Sequence, residues 1–248
     1  MIMLTTTTMI TTMIMGLSTR TTTIATTATS MGTAARADRG ALLPLLIWLS
    51  PAFPVGAYAY SHGLEWAVEA GDIVDAPSLE VWLVDLLEFG APRSDAILFA
   101  AAFRAAASAD WPELMEINAL AVALTASAER RLETTAQGAA FLAAARGPWD
   151  CEPLRRLDAA PDRRIAYPVA VAAAASGHAL PLDMSLEAFV LAQAANLVSA
   201  ALRLGAIGQT DGQTILASLL PHIRGLADEA RHANLADKTL RNRSCPST

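Results

Sequence analysis

Four histidines are the first candidates for chemistry in this chain of 248 residues. His62 lies in the run Tyr58-Ala-Tyr-Ser-His-Gly-Leu-Glu65. If a helix has begun there, the i, i+3 spacing puts the His62 imidazole and the Glu65 carboxylate on one face. Such a pair can hold a metal or move a proton. It equally suits an ordinary helix start, where Glu65 favours the positive end of the dipole. His178 follows Gly177 in a turn and is expected to face solvent. His222 and His232 lie on either side of Gly225, and nothing in their spacing makes them one site.

Other catalytic signals are missing from the sequence. It has no GxSxG elbow, no phosphate-binding glycine loop and no paired catalytic carboxylates at helical spacing. Cys151 stands among Trp149, Asp150 and Glu152, and neighbouring acids raise a thiol pKa, which argues against a reactive thiolate. Cys151 and Cys245 are too few for a disulfide scaffold and too far apart for a CxxC site. The formal charge of −6 argues against nucleic-acid binding, which needs a basic face to displace counterions. An all-α metal-dependent enzyme using His62 and Glu65 is therefore the catalytic alternative to a binding protein.

The elements that must position these residues are helical. The chain is 53% hydrophobic but only 6% aromatic, and much of the apolar share is Ala, the best helix former. A helix over 61–70 puts Leu64, Ala67 and Val68 on one face and ends at Gly71. Pro77 opens the next, whose stripe is Val81, Val84 and Leu87 with Leu83 and Leu86, closed by Gly90. Further helices are expected over 94–107, from Trp111–Pro112, over 127–145 and from Tyr167–Pro168 to Gly177, with a connector or short helix in 151–164. Ser185 is expected to cap a helix reaching Leu204, with Glu187 in its first turn. Asp211 is expected to cap the last, and Pro221 to kink or divide it. No strand-like alternation and no fixed repeat occurs, so the expectation is all-α: one compact domain of about eight to ten helices.

Two segments are more specified than a core requires. Residues 50–60, Ser-Pro-Ala-Phe-Pro-Val-Gly-Ala-Tyr-Ala-Tyr, read as a rigid, extended, aromatic-bearing loop. In 196–213, Arg203 is a lone cation near the end of an apolar helix, where it suits the negative end of the dipole.

These segments carry a resemblance. SPAFPVGAYAYSHGLEWAVEAG (50–71) closely resembles the signature of the urease accessory protein UreF family. ERRLETTAQGAAFL (129–142), AYPVAVAAAASG (166–177) and NLVSAALRLGAIGQTDGQTILASLLP (196–221) are similar to it in the same order. The resemblance spans about residues 41–235. It implies an all-helical protein with no catalytic activity and no cofactor of its own. Such a protein dimerises, joins a UreD-type (or UreH-type) partner on apo-urease and recruits the GTPase UreG. Nickel is then handled by the assembled complex. Glu65 and Arg203 match positions that the family uses at its UreG-facing surface. Many members have Lys in place of Arg203, which keeps the charge and changes the donor geometry. Tyr60, His62, Gln209 and Asp211 fall in the same motifs as further partner-binding candidates.

The two ends differ from this body. Residues 1–37 hold 14 Thr and six Met with Arg20 and Arg36 but no acid, and are expected to be a Thr/Met-rich extension, through residue 40, that is disordered or mis-started. Residues 236–248 form an atypical basic tail ending in Cys-Pro-Ser-Thr, where the family usually continues into a further helix and a basic tail ordered against the UreD-type partner. No uninterrupted apolar run approaches the ~20 residues of a membrane span, so no membrane contact and a cytoplasmic location are expected.

Overall fold

Local signals set most of the helix boundaries. Asp75 accepts a hydrogen bond from the Ser78 amide at 3.0 Å while Ser78 Oγ accepts one from the Asp75 amide, a reciprocal cap ahead of Pro77. Asp110 and Ser127 accept from the Glu113 and Arg130 amides in the same way, each at 3.1 Å. The computed structural model describes residues 42–160 and 164–235; expectations for residues 1–40 and 236–248 lie outside them. After helical residues 42–48 (α1) and a 3-10 turn at Ala57–Ala59 come α2 (Leu64–Ala70), α3 (Ala76–Phe89), α4 (Ala91–Ala107), α5 (Trp111–Ala123) and α6 (Ala128–Ala145). Then follow α7 (Glu152–Asp158), α8 (Tyr167–Gly177), α9 (Leu182–Leu204) and α10 (Gln209–His232). Among the described residues there is no strand, and the all-α expectation holds.

The core is built around α8. Every residue from Pro168 to Ala175 is buried, so this helix is apolar all round, as a central helix must be. It packs against α4, whose buried stretch Ala96–Ala102 is also Ala-rich, and short side chains let two backbones approach closely. Rings bind the periphery to this centre. Phe53 meets Phe141 at 5.3 Å, Tyr167 meets Phe189 at 5.7 Å, and Phe189 meets Phe99 at 5.0 Å. On α9, half of the most apolar window, long enough for a bilayer by length and composition, is buried inside the fold. Its apolar face is thus a face of the protein core.

The chain enters α8 through a clamp. The buried Asn118 amide donates to the Arg164 carbonyl at 2.9 Å, and its oxygen accepts from the Ala166 amide at 2.9 Å. Thr134 Oγ1 accepts from the Tyr167 amide at 3.1 Å. Asn118→Ala leaves a buried N–H without its acceptor and should lower stability by about 1–3 kcal/mol. Urea unfolding with an unchanged slope would show it; a midpoint equal to the parent would refute the clamp.

Several boundaries differ from expectation. Val81 is 63% exposed, because the buried stripe of α3 is Leu79, Leu83 and Leu87. The helix expected from Ser185 starts at Leu182, and the buried Ser185 hydroxyl bonds back to the Pro181 carbonyl at 2.7 Å. Asp183, not Glu187, is the acid in that first turn. Asp211 is the third residue of α10 and accepts from the Gly208 amide at 3.2 Å, so it supports the cap without being it. Pro221 does not divide α10, which is continuous across it. Proline deletes one bond, to the carbonyl of the exposed Ala217, while Ile215, Leu219, Ile223 and Leu226 hold both halves on the core.

Candidate functional site

The proline-rich loop is folded into turns where an extended path was expected. The Phe53 amide donates to the Ser50 carbonyl at 3.0 Å and the Val55 amide to the Phe53 carbonyl at 2.8 Å, before the 3-10 turn. Prolines at 51 and 54 disfavour helix at the residues before them without imposing a straight path.

Two helices hold this loop from beneath. Asn196 of α9 donates through Nδ2 to the Ala57 carbonyl at 2.9 Å and the Tyr60 carbonyl at 3.2 Å. Arg203, one helical stretch further, donates to the Tyr58 carbonyl at 2.8 Å and to Ser199 Oγ at 3.0 Å. Arg203 thus does more than complement a dipole: it grips the loop. Tyr58 itself stands 70% exposed above these anchors.

The second helix is α6. His62 lies outside α2, with φ at +53°, and its imidazole turns inward. The Glu133 carboxylate accepts from His62 Nε2 at 3.1 Å, and the two side chains are 11% and 6% exposed. Glu133 also accepts from Arg130 at 2.6 Å and from Gln137 Nε2 at 3.2 Å, and Arg130 reaches Asp95 of α4 at 2.7 Å. Burial works to raise the Glu133 carboxyl, but the His62 hydrogen bond and the Arg130 charge outweigh it and leave it below its ordinary range. At Asp95 burial wins over Arg130, and that carboxyl is pushed up.

This ionic cluster separates two spaces. Inside is a cavity of about 170 Å³, lined by the rings of Trp48, Phe53, Tyr167 and Phe189 and by the amide side chains of Gln193 and Asn196. Gln193 Oε1 is buried there with no hydrogen-bond partner among the described residues. Outside is a surface groove lined by Tyr60, Ser61, Glu65 and Glu129, with Arg130 and Glu133 at its base.

The sequence candidates fall into three places. Tyr60, His62 and Glu65 share the outer groove, with Glu65 exposed in the first turn of α2. Because α2 starts at Leu64, His62 and Glu65 are not the helical i, i+3 pair that a shared metal would need. Among the described residues no three His, Cys, Asp or Glu side chains cluster as metal ligands. Arg203 pairs with Tyr58 and not with Glu65. Gln209 and Asp211 are exposed at the start of α10, outside the linings of cavity and groove. His178 does not face solvent: it is half-buried, its ring 5.5 Å from Trp48 and 5.9 Å from Trp149, with Nε2 3.0 Å from the Trp149 carbonyl. His222 contacts Glu88 at 3.5 Å while His232 donates to the Asp228 carbonyl at 2.8 Å, so they form separate contacts. Burial, with the nearby acids adding to it, raises the Cys151 thiol.

Sequence reasoning missed Asp95, Arg130, Glu133, Gln137 and Asn196 as parts of the site. One signal was present: Glu133, Gln137 and Phe141 follow each other at helical spacing, which puts a carboxylate on the buried face of α6.

Fold and site together define an all-helical protein that presents one tightly anchored loop above a buried ionic cluster. The family model UreF matches residues 73–220, more than half of the chain. The urease accessory protein UreF of Xanthobacter autotrophicus is 58% identical over 79% of this chain and 81% of its own length. That of Methylorubrum populi is 50% identical over 80% of this chain and 90% of its own. That of Azorhizobium caulinodans is 52% identical over 79% and 84%. The chain belongs to the UreF family.

Proposed function

We propose that this chain acts in urease maturation as an assembly partner and not as a catalyst. As a homodimer in the cytoplasm it joins a UreD-type partner on apo-urease, recruits the GTPase UreG and couples the GTP cycle to nickel insertion. It carries no cofactor of its own, and nickel is cargo of the whole assembly. The single observation carrying this reading is the identity of 58% to a protein named urease accessory protein UreF, over most of both chains.

The loop geometry supports a docking role. A loop already held in its bound shape loses little freedom when a partner arrives. Glu65, exposed in the groove, faces UreG in this reading, and Arg203 adds an exposed cation where it grips the Tyr58 carbonyl. Such charges set partner register and association rate more than they set total affinity. Tyr60, Gln209 and Asp211 complete the proposed partner-binding set, and His62, its ring turned inward onto Glu133, belongs to it through the corner it holds.

Complementation tests the whole reading. Expression in a urease-positive strain lacking its own UreF should restore urease activity with nickel supplied, and failure to restore it refutes the proposal. Glu65→Lys should weaken capture of UreG about tenfold, the effect of ~1.4 kcal/mol of lost or opposed charge contact, while helix content stays unchanged. Glu65 is the better residue for this test, because charge reversal at Arg203 would also release Tyr58. Full capture by Glu65→Lys removes that residue from the interface.

A further inference from the structure

The corner between the 3-10 turn and α2 is made of two successive left-handed residues, His62 at φ +53° and Gly63 at φ +88°. Gly63 adopts this freely, but a histidine does so at a cost and stays there only when its surroundings over-determine it. Here they do. The imidazole is tied to Glu133, and Glu133 is fixed in turn by Arg130 and Gln137 on the same helix. On the other side Asn196 holds the carbonyls of Ala57 and Tyr60. The segment between these anchors carries exposed Tyr58, and the helix that leaves the corner carries exposed Glu65 and, 69% exposed, Trp66.

We propose that Glu133, acting through His62, and Asn196 are positioning residues: they hold the Tyr58–Trp66 face in its docking shape from inside the protein. The inference rests on the reading that this face meets the GTPase partner. Neither anchor needs to touch that partner. The His62 ring and the Glu133 carboxylate are almost wholly covered, and Asn196 is half-buried under the loop. Releasing the latch leaves Glu65 and its charge in place but lets the corner sample other shapes. If the docked shape then holds for about a tenth of the time, apparent affinity falls about tenfold.

His62→Gly is the cleanest variant. Glycine accepts the positive φ, so it deletes the latch without straining the backbone. Arg130, Glu133 and Asp95 remain paired among themselves. His62→Gln restores a donor near the position of Nε2 and should recover most of the loss. Asn196→Asp, which keeps the shape but removes the donor, tests the second anchor independently. Two measurements on the full-length protein read the outcome. The first is hydrogen exchange at the Tyr60 and Leu64 amides, which donate to the Ala57 and Ser61 carbonyls. The second is calorimetric affinity for UreG.

The expected result is faster exchange at both amides in His62→Gly, affinity for UreG weaker about tenfold, and recovery of both in His62→Gln. Exchange and affinity equal to the parent in both His62→Gly and Asn196→Asp would overturn the proposal. So would faster exchange with undiminished affinity, provided Glu65→Lys does weaken binding. If Glu65→Lys and His62→Gly both bind UreG normally, the interface reading fails, while the exchange rates still decide whether the latch exists.

Discussion

Glu133→Ala is expected to lower stability by about 3–5 kcal/mol, the cost of removing one member of a buried charged cluster. The substitution takes away the acceptor of His62 and Gln137 and one of the two carboxylates paired with Arg130. Arg130 is 18% exposed at its side chain, so water only partly replaces the missing oxygen. Glu133→Gln keeps the volume and one acceptor oxygen and should lose clearly less. Because this carboxyl is held below its ordinary range, the folded state binds protons there more weakly than the unfolded chain. Its contribution is complete above the ordinary carboxylate pKa and fades as pH falls through the depressed folded value. The gap between parent and Glu133→Ala should therefore narrow in acid. Urea midpoints at neutral and acid pH check this, and a gap that does not change with pH contradicts it.

Gly138→Ala carries the second large effect. A Cβ at this position would lie 2.0 Å from the Ile165 carbonyl oxygen and 2.8 Å from the Ile165 carbonyl carbon. The backbone there cannot easily retreat, because Asn118 and Thr134 pin residues 164–167 on either side. Overpacking costs about 1–3 kcal/mol, and a contact with pinned backbone belongs at or beyond the upper end. Gly225→Ala is the matching control. Gly225 lies inside α10, is exposed, and a Cβ there would meet nothing within 4 Å. It should gain up to about 1 kcal/mol from helix propensity. Thermal unfolding of the two variants should therefore shift in opposite directions. A Gly138→Ala melting point at or above the parent would show that the α6–α8 crossing is looser than its geometry.

Much of the architecture was legible locally. Helix starts at Pro77, Trp111–Pro112, Ser127 and Tyr167–Pro168 stand where the residues placed them, because proline geometry and side-chain caps act within one turn. Where the reading slipped, a longer-range term had taken over. Pro221 sits in an unbroken helix because packing on both sides of it outweighs one lost bond. Ser185 has the chemistry of a cap, yet Pro181 begins the turn and the hydroxyl bonds back inside it. Val81 fits an apolar stripe, but the helix turns Leu79, Leu83 and Leu87 to the core.

The site divides along the same line. Helical class, the special character of residues 50–71 and family membership follow from composition, punctuation and motif order, all properties of neighbours in the chain. That His62 points inward, that Arg203 grips Tyr58 and that Glu133 joins Asp95 and His62 were decided only when four distant segments packed together. A helical period tells which side of α6 carries a carboxylate, but the partner on the facing segment is a matter of tertiary contact. The spacing of His62 and Glu65 suggested one face of one helix; the left-handed corner at His62 and Gly63 turned one inward and left the other exposed.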